Sequence, residues 1–437
     1  MNTKHKLTKL LALIFFCSFA FDFKGEQAGT VVQFLFAGIS LMAGGMLVVL
    51  VNWRQVPKSL VLLIISWSAL VGIGLGSAIF YHNSVGQYLR VSFPYILFGL
   101  SFVTIAACIS NEVHISYFIN MSFWLAISSS VWLAYYNFGV SDLELSSARY
   151  QFISPALPYI IAVGIASIVT ARGFRLTELV AIGGSIVSVL LSETRGFVGM
   201  YLTSISLVLF LYLSTKYRDR QSQDEKSNLY TKLMVSAVIV GSGIVIAVVL
   251  RPNVVQGWKD RLFWYQSTES GYDPTYLTRV AEVQGMIQVM GKEALVWTTG
   301  MGFGANYYWS ENYHDMLKAY VGDAYFGADL WDGGHNVWMY MLFSTGIVGS
   351  MLALLCIGII IKCIWRMIIV FRNNIQLRIP DYAIVPIIAT GNYFSASFTG
   401  NIFGSRLGAV YLAMGIGMII WALDIQMYLV RGERRYD

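Results

Sequence analysis

The sequence predicts an all-α protein that crosses a membrane about twelve times, and three observations indicate this fold class. Of the 437 residues, 56% are hydrophobic and only 12% are charged, which is about half the charged fraction of average soluble domains. Many apolar runs reach about 20 residues, the length that an α-helix needs to cross a bilayer. The four cysteines lie inside these runs, so a disulfide-rich scaffold is excluded.

The apolar runs, taken in chain order, are twelve candidate spans. The first follows Lys4, Lys6 and Lys9 and has the charge pattern of a signal peptide. Because no small-residue cleavage site follows it and more spans come at once, we expect a retained helix. The predicted limits, each accurate to a few residues, are 7–22, 29–52, 59–81, 92–110, 116–136, 154–171, 176–192, 196–214, 233–250, 335–361, 382–399 and 405–430.

The distribution of basic residues indicates how these spans are oriented. If the N-terminus is cytoplasmic and the sides alternate, the cytoplasmic segments hold 19 of the 30 Lys and Arg residues, although the opposite segments are much longer. Basic residues collect on the cytoplasmic side of membrane proteins, so both termini are predicted to lie inside. The net charge of +6 therefore reflects membrane orientation and does not indicate nucleic-acid binding.

The predicted organisation has three parts. Residues 1–250 hold spans 1–9, residues 251–334 form a large external loop, and residues 335–437 hold spans 10–12 and a cytoplasmic tail. The loop is rich in aromatic rings, which can stack on the apolar faces of sugars. The alternative is an interfacial aromatic belt with a small loop core. The candidate glycan-binding residues are Trp297, Tyr307, Trp309 and Trp331.

Two local patterns stand out inside this loop. Residues 279–292 carry apolar side chains at a spacing that predicts an amphipathic helix, lying on the membrane or packed on the bundle. The residues of that apolar face are Val280, Val283, Met286, Ile287 and Met290. A short glycine turn at 302–304 is a weak signal for a phosphate-binding loop.

Basic or titratable residues occur where four even-numbered spans begin on the predicted external side. Arg149 lies shortly before the sixth span, and Arg195, His335 and Arg406 open the eighth, tenth and twelfth. Helix N-termini attract anions, and the guanidinium fork suits phosphate oxygens, so these residues predict a diphosphate site. The alternative is separate interfacial arginines, each extending to the lipid headgroups or paired with a nearby carboxylate. Such pairs are Glu193 with Arg195, and Asp142 or Glu144 with Arg149.

His335 is the candidate general base. Gly333 and Gly334 let the backbone turn tightly before it. The positive end of a helix dipole disfavours imidazolium and favours the neutral base, whereas Asp332 acts in the opposite direction. The alternative is a histidine that only caps the helix. No metal-ligand or Walker A motif is present, and the acidic run of Asp323, Asp329 and Asp332 is interpreted as a solvated loop, so no metal or cofactor is expected.

Four segments resemble the superfamily of bacterial Wzy-type O-antigen and exopolysaccharide polymerases and O-antigen ligases. The segments are SSARYQFISPALPYIIA (146–162), LLSETRGFVGMYL (190–202), TRVAEVQGMIQVMGKEALVWTTGMGFGANY (278–307) and GHNVWMYMLFSTGIVGSMLALL (334–355). No single motif is specific. Their order, spacing and predicted side of the membrane carry the resemblance over most of the chain.

This resemblance implies a metal-independent, multi-pass glycosyltransferase of the bacterial inner membrane, with its active site facing the periplasm. The donor would be a glycan on undecaprenyl diphosphate, with no cofactor and no nucleotide sugar. By the resemblance, Arg195 and Arg279 bind the diphosphate and His335 helps to activate the acceptor hydroxyl. The implied partners are the acceptor glycan, membrane lipids and a chain-length regulator, and no nucleic acid.

Two activities share this layout. A polymerase transfers the growing chain to a new lipid-linked repeat unit, whereas a ligase transfers the finished chain to the lipid A–core of lipopolysaccharide. We favour the polymerase, because loose matches are expected of an enzyme whose glycan varies widely. Transfer to protein is a third variant. A polysaccharide flippase or transporter is the alternative from a different class.

Overall fold

The computed structural model describes residues 3–21, 31–140, 153–169, 175–214, 223–263, 266, 271–321, 326, 333–373, 380–398 and 400–431. Within these ranges the chain is almost entirely helical, and an isolated bridge pairs Trp309 with Phe326. Within the described residues, each of the twelve predicted spans contains a helix, with ends that differ from the predicted limits by a few residues. The helices before residue 251 are α1 (Thr3–Ala20), α2 (Val31–Leu50), α3 (Lys58–Phe80), α4 (Val85–Ser110), α5 (Ile115–Tyr135), α6 (Leu157–Val169), α7 (Leu176–Ser192), α8 (Arg195–Ser214) and α9 (Gln223–Leu250).

The later part of the chain begins with short helices in the predicted external loop. These helices are α10 (Val254–Leu262), α11 (Pro274–Met290), α12 (Ala294–Thr299) and α13 (His314–Val321). The apolar helices that follow are α14 (Val337–Asn373), α15 (Asp381–Ser397) and α16 (Arg406–Arg431). Helix α14 packs against α3 and α16, and α15 packs against α6, α8 and α16.

Six helical stretches in the described residues are long and apolar enough to cross a membrane. They are Lys58–Phe80, Val85–Ser110, Ile115–Gly139, Thr231–Leu250, Val337–Asn373 and Arg406–Val430. Shorter apolar helices lie at Phe34–Leu50, Leu157–Ile168, Leu176–Ser192 and Arg195–Leu211. Large apolar side chains on these helices face outward, for example Val49 at 85% and Met234 at 73% exposure. Together these properties indicate a helical membrane protein, and the count of twelve spans stays a prediction.

Helix α14 is broken near its start, at Gly346. The φ of 64° and ψ of −168° at this glycine lie outside the helical region. A Cβ here would lie 2.3 Å from the carbonyl oxygen of Thr298, so both the dihedral angles and the close approach require glycine. The carbonyl of Phe343, at the end of the first half-helix, accepts a hydrogen bond from Met301 N at 2.8 Å. The chain after α12 therefore satisfies backbone groups that the break leaves open.

The glycine turn seats this same segment on the bundle. Gly302 has a φ of 85°, and its N–H donates to Ser344 O at 3.0 Å. The N–H of Phe303 donates to Gly74 O, on α3, at 3.1 Å. Because these amides are bonded to neighbouring helices, the weak signal for a phosphate-binding loop was misleading.

Helix α11 packs on the protein with a face that differs from the predicted one. Ile287, predicted to lie on the apolar face, is 41% exposed. The residues buried along α11 are Pro274, Leu277, Ala281, Glu282, Gly285, Met286, Val289 and Met290. Gly285 explains this rotation, because a Cβ there would lie 1.7 Å from the carbonyl oxygen of Tyr308. The helix therefore approaches the following chain at a point where no side chain fits.

The 271–321 segment contacts one end of the helical bundle. Ser77, near the end of α3, donates to Thr299 O at 2.8 Å. Asn83, which precedes α4, donates to Met301 O at 2.9 Å and to Phe303 O at 3.1 Å. Helix α11 also contacts α14. The segment therefore lies where α3 ends and where α4 and α14 begin.

Candidate active site

The site is built around the turn that precedes α14. Asn336 caps this helix, since its Oδ1 accepts hydrogen bonds from Trp338 N at 3.0 Å and Met339 N at 3.1 Å. The sequence predicted that His335 opens this helix. In the structure His335 lies just before the helix, which begins at Val337. The carbonyl of Gly334 accepts a hydrogen bond from Asn401 Nδ2 at 2.7 Å. This bond ties the turn to the chain before α16.

A buried carboxylate on α11 holds His335 in place. The side chain of Glu282 is fully buried, and its Oε1 accepts a hydrogen bond from the backbone N–H of His335. Its Oε2 lies 3.0 Å from His335 Nδ1. A carboxylate oxygen accepts hydrogen bonds, so in the neutral imidazole Nδ1 donates to Oε2 and the ring lone pair lies at Nε2. The imidazole is 41% exposed, which leaves this histidine accessible to a reactant.

Two more side chains contact the Glu282 carboxylate. Tyr307 Oη lies 3.2 Å from Oε1 and 3.0 Å from Gly333 O, and is the donor to either acceptor. Burial and the charge of Glu282 raise the pKa of the Tyr307 phenol well above its ordinary value, so this hydroxyl stays protonated. Arg279 Nη1 lies 3.6 Å from Glu282 Oε2, with the arginine side chain 30% exposed. The Glu282 carboxylate thus contacts both the candidate base, His335, and the candidate diphosphate-binding residue, Arg279.

Arg195 contacts the N-terminal end of α11, the helix that carries Arg279 and Glu282. Its Nη1 lies 2.5 Å from Oδ2 of Asp273. Asp273 is also the N-cap of α11, with its Oδ1 accepting a hydrogen bond from Thr275 N at 2.8 Å. Burial alone would raise the pKa of the Asp273 carboxyl, but the hydrogen bonds from Arg195 and from Thr275 outweigh burial and hold it below the ordinary range. Arg195 and α11 are therefore linked by an ion pair.

Glu193 does not pair with Arg195, contrary to the alternative considered from the sequence. Its Oε1 lies 3.3 Å from Nη2 of Arg251, and its backbone adopts a left-handed conformation at the end of α7. Arg251 also donates to Leu191 O at 3.2 Å, and Trp258 Nε1 donates to Leu190 O at 2.9 Å. Arg251 and Trp258, which follow α9 in the chain, therefore cap the C-terminal end of α7.

Helix α11 therefore sets the order of the candidate residues along the site. Asp273 marks the Arg195 end, Arg279 lies six residues further, and Glu282 marks the His335 position. At about 1.5 Å of rise per residue, these steps correspond to about 9 Å and then about 4.5 Å. Two guanidinium groups and one imidazole are thus arranged along a single rigid element.

An apolar cleft adjoins this arrangement. It lies between α3, α4, α14, α15 and α16, and nearly all of its lining is apolar. Val337, Trp338 and Met341, from the first turns of α14, form one wall, and Trp67 and Phe403 contribute to the opposite side. Val337 follows His335 by two residues, so the lining of the cleft includes residues that directly follow the candidate base in the chain.

The other predicted site residues lie in different surroundings. The guanidinium carbon of Arg406 lies 5.2 Å from the ring centroid of Phe93, on α4. Tyr307 and Trp309 are buried, with exposures of 0% and 4%, so both rings have packing roles in this structure. Trp297 is partly buried against the core. Glycan binding by these rings stays a prediction.

Some predictions concern residues outside the described ranges, and the structure therefore does not bear on them. These residues are Arg149, Trp331, Asp323, Asp329 and Asp332.

Sequence reasoning missed Glu282 and Asp273. A carboxylate on an amphipathic helix is expected on the solvated face, which is where the predicted pattern put Glu282. The signal that could have identified it is the second stripe of small and apolar residues, Leu277, Ala281 and Gly285, which runs beside it. This stripe is the face that the structure buries.

Comparison with known proteins does not assign the chain to a family. No protein-family model matches the sequence, and no curated protein matches it.

Proposed function

We propose that this protein is a glycosyltransferase that polymerises undecaprenyl-diphosphate-linked repeat units of a surface polysaccharide. The observation that carries this proposal is the convergence of His335 and Arg279 on Glu282. A partly exposed imidazole beside a guanidinium suits the transfer of a group from a phosphate leaving group to a hydroxyl. The imidazole accepts the hydroxyl proton, and the guanidinium stabilises the charge that develops on the phosphate.

In the proposed reaction, His335 accepts a proton from a hydroxyl of the acceptor glycan. The hydroxyl oxygen then bonds to the anomeric carbon of the donor, and the bond from that carbon to the lipid diphosphate breaks. Arg279 binds the departing diphosphate, and Arg195, at the other end of α11, is a second ligand for it. Guanidinium groups suit this role because their planar donors match phosphate oxygens.

The surroundings of these residues support a lipid-linked substrate. The apolar cleft is lined by Val337 and Trp338, which follow His335 in the chain, and its chemistry suits a hydrocarbon chain. The helical, apolar character of the bundle agrees with a multi-pass inner-membrane protein. In the proposal, the 251–334 segment and the active site face the periplasm, where lipid-linked repeat units are joined.

The proposal is tested in cells that lack the protein and carry wild type, His335→Ala or Arg279→Ala. His314→Ala is the matched control, since His314 is a partly exposed histidine of the same segment. Protein levels in the membrane are measured first, and surface glycan and lipid-linked glycan are then compared on gels. We expect wild type and His314→Ala to restore a ladder, and the other two variants to leave a single repeat unit on the acceptor.

Other outcomes identify the alternatives. Long chains that accumulate on the lipid carrier, with none on the lipid A–core, would indicate an O-antigen ligase. Repeat units retained on the cytoplasmic face would indicate a flippase. A normal ladder with well-expressed His335→Ala and Arg279→Ala would refute the assigned site.

A further inference from the structure

We propose that Glu282 couples proton acceptance by His335 to phosphate binding by Arg279, as a positioning residue for both. This inference rests on the proposed function and goes beyond it. One carboxylate oxygen, Oε2, faces both groups, at 3.0 Å from His335 Nδ1 and 3.6 Å from Arg279 Nη1. A positive charge on one partner therefore offsets part of the attraction that the carboxylate exerts on the other.

The remaining contacts of Glu282 keep this shared oxygen in place. Oε1 accepts from the backbone N–H of His335 and lies within hydrogen-bond distance of the Tyr307 hydroxyl. The side chain is 0% exposed, so bulk water does not screen the carboxylate from its partners, and electrostatic interactions there are stronger than at the surface. Because α11 is fixed by its contact at Gly285, the carboxylate cannot follow one partner and leave the other.

During the proposed reaction, the charges would shift in a defined order. Before transfer, His335 is neutral, and the negative charge of Glu282 is balanced by Arg279. The acceptor hydroxyl then gives its proton to Nε2 of His335, the new glycosidic bond forms, and the electron pair of the broken bond remains on the diphosphate. The imidazolium now balances Glu282 through a charge-assisted hydrogen bond. Arg279 is attracted less by Glu282 at the moment when negative charge develops on the leaving group.

The decisive variant is Glu282→Gln, which keeps the shape of the side chain and removes its charge. We expect the turnover of purified full-length protein to fall at least about 100-fold, as is typical when general-base catalysis is impaired. Binding of undecaprenyl diphosphate should not weaken, and should tighten several-fold, because the negative charge of Glu282 no longer competes with the diphosphate for Arg279. Glu282→Asp retains the charge and should recover part of the turnover. A merely structural role would lower turnover, binding and thermal stability together.

Glu178→Gln is the matched control. Glu178, on α7, is also buried, and its Oε2 accepts from Ser167 Oγ at 3.1 Å and Arg175 N at 3.3 Å. We expect this variant to keep wild-type turnover and wild-type diphosphate binding once its folded fraction is matched.

A double-mutant comparison isolates the coupling. Undecaprenyl diphosphate binding is measured for wild type, Glu282→Gln, Arg279→Gln and the double variant. Tighter binding should follow Glu282→Gln only when Arg279 is present. The coupling is refuted if Glu282→Gln changes binding equally in both backgrounds, or if it keeps wild-type turnover. If Glu282→Gln does not fold, Glu282→Asp decides, and wild-type turnover with weaker binding in that variant refutes the coupling.

The binding comparison needs no transfer reaction. A wild-type protein that forms no glycosidic bond but shows the Arg279-dependent change in binding would refute the proposed polymerase and would support only the effect of Glu282 on phosphate binding by Arg279.

Discussion

The two carboxylates of α11 that contact candidate site residues differ in burial and in partners. Asp273, at the start of the helix, pairs with Arg195, and the two side chains are 19% and 34% exposed. Glu282, in the middle of the helix, is 0% exposed, and its contacts include His335, Arg279 and Tyr307. The first carboxylate forms a local ion pair that links α8 to α11. The second carboxylate organises a cluster around a partly exposed base.

The comparison shows why burial alone does not identify a catalytic centre. Glu178 is as buried as Glu282, but the contacts of its carboxylate with Ser167 and with the backbone of Arg175 form a helix cap. Glu282 differs because it joins an accessible imidazole to a guanidinium. Exposed ion pairs contribute about 0–1 kcal/mol to stability, whereas removing one partner of a buried pair costs about 3–5 kcal/mol. Changes near Glu282 should therefore have larger effects than changes near Asp273.

The largest effect is expected from Gly285→Ala, which would displace the whole of α11. The new Cβ would lie 1.7 Å from the carbonyl oxygen of Tyr308, and a backbone group cannot move aside as a flexible side chain can. Overpacking typically costs about 1–3 kcal/mol, and we expect at least the upper end. Both carboxylates should lose their partners, and glycan transfer should be abolished.

Thermal unfolding and transfer activity of the purified variant check this prediction. Gly291→Ala is the control, because its Cβ would meet its nearest neighbour, Ile287 O, at 3.4 Å, an ordinary contact. Equal stability of the two variants would contradict the claim that α11 is seated at Gly285.

Tyr307→Phe should have the next largest effect, confined to the Glu282 end of α11. The substitution keeps the buried ring and removes the hydroxyl that faces Glu282 Oε1 at 3.2 Å. Leaving a buried polar group short of a partner costs about 1–3 kcal/mol. We expect that loss in unfolding free energy. Turnover should fall roughly 10-fold, which corresponds to a loss of about 1.4 kcal/mol of transition-state stabilisation, because Glu282 would hold His335 less firmly.

The matched control for this variant is Tyr313→Phe. Tyr313 Oη also contacts α11, accepting from Gln284 Nε2 at 3.0 Å, but it lies on a different part of the helix surface. Similar losses of turnover in the two variants would show that the Glu282 contact is not special.

The helices were more predictable from the sequence than the contacts between them. In a bilayer, every backbone polar group must be satisfied within the segment or by its neighbours, so long apolar runs can only form helices. In the part of the chain that the structure describes, a helix lies in each of the twelve runs. The break in α14 was not predicted, because it depends on Thr298, a distant residue that approaches Gly346.

The candidate site could be predicted from the sequence where the residue type itself indicates the chemistry. It could not be predicted where the role of a residue depends on a tertiary contact. His335, Arg279 and Arg195 were identified from the sequence as candidates, and α11 brings them into one arrangement. Their partners Glu282 and Asp273 were missed, because ordinary helix positions do not reveal which distant side chain they will meet. The amphipathic pattern predicted the buried Met286 and Met290 but also placed Ile287 on that face, and Ile287 is 41% exposed. The rotation of the buried face arises because Gly285 fits against backbone, a contact that hydrophobicity does not encode.

A smaller effect on stability is expected at Asp273, where two substitutions separate its role as the helix cap of α11 from its ion pair with Arg195. Asp273→Asn should keep the helix cap, since asparagine caps as well as aspartate, and should lose the ion pair with Arg195 for about 0–1 kcal/mol. Asp273→Ala should lose both, with about 1 kcal/mol more for the missing cap. Unfolding midpoints of the two variants measure the difference. If Asn is as destabilising as Ala, the hydrogen bond to Thr275 N has no capping role.

The smallest effect is the pH dependence of the same pair, and its sign is fixed by the lowered pKa of Asp273. A carboxyl whose pKa is lower in the folded than in the unfolded protein stabilises the fold above its ordinary value of about 3.9. That stabilisation is lost as the pH falls through the folded-state pKa. The difference in unfolding midpoint between wild type and Asp273→Asn should therefore be constant from pH 7 to about pH 5 and should shrink below about pH 4. A difference that grows with acidification would mean that Arg195 and Asp273 do not form a stabilising pair. The expected difference between Asp273 and Glu282 would then depend only on the effects of substitutions near Glu282.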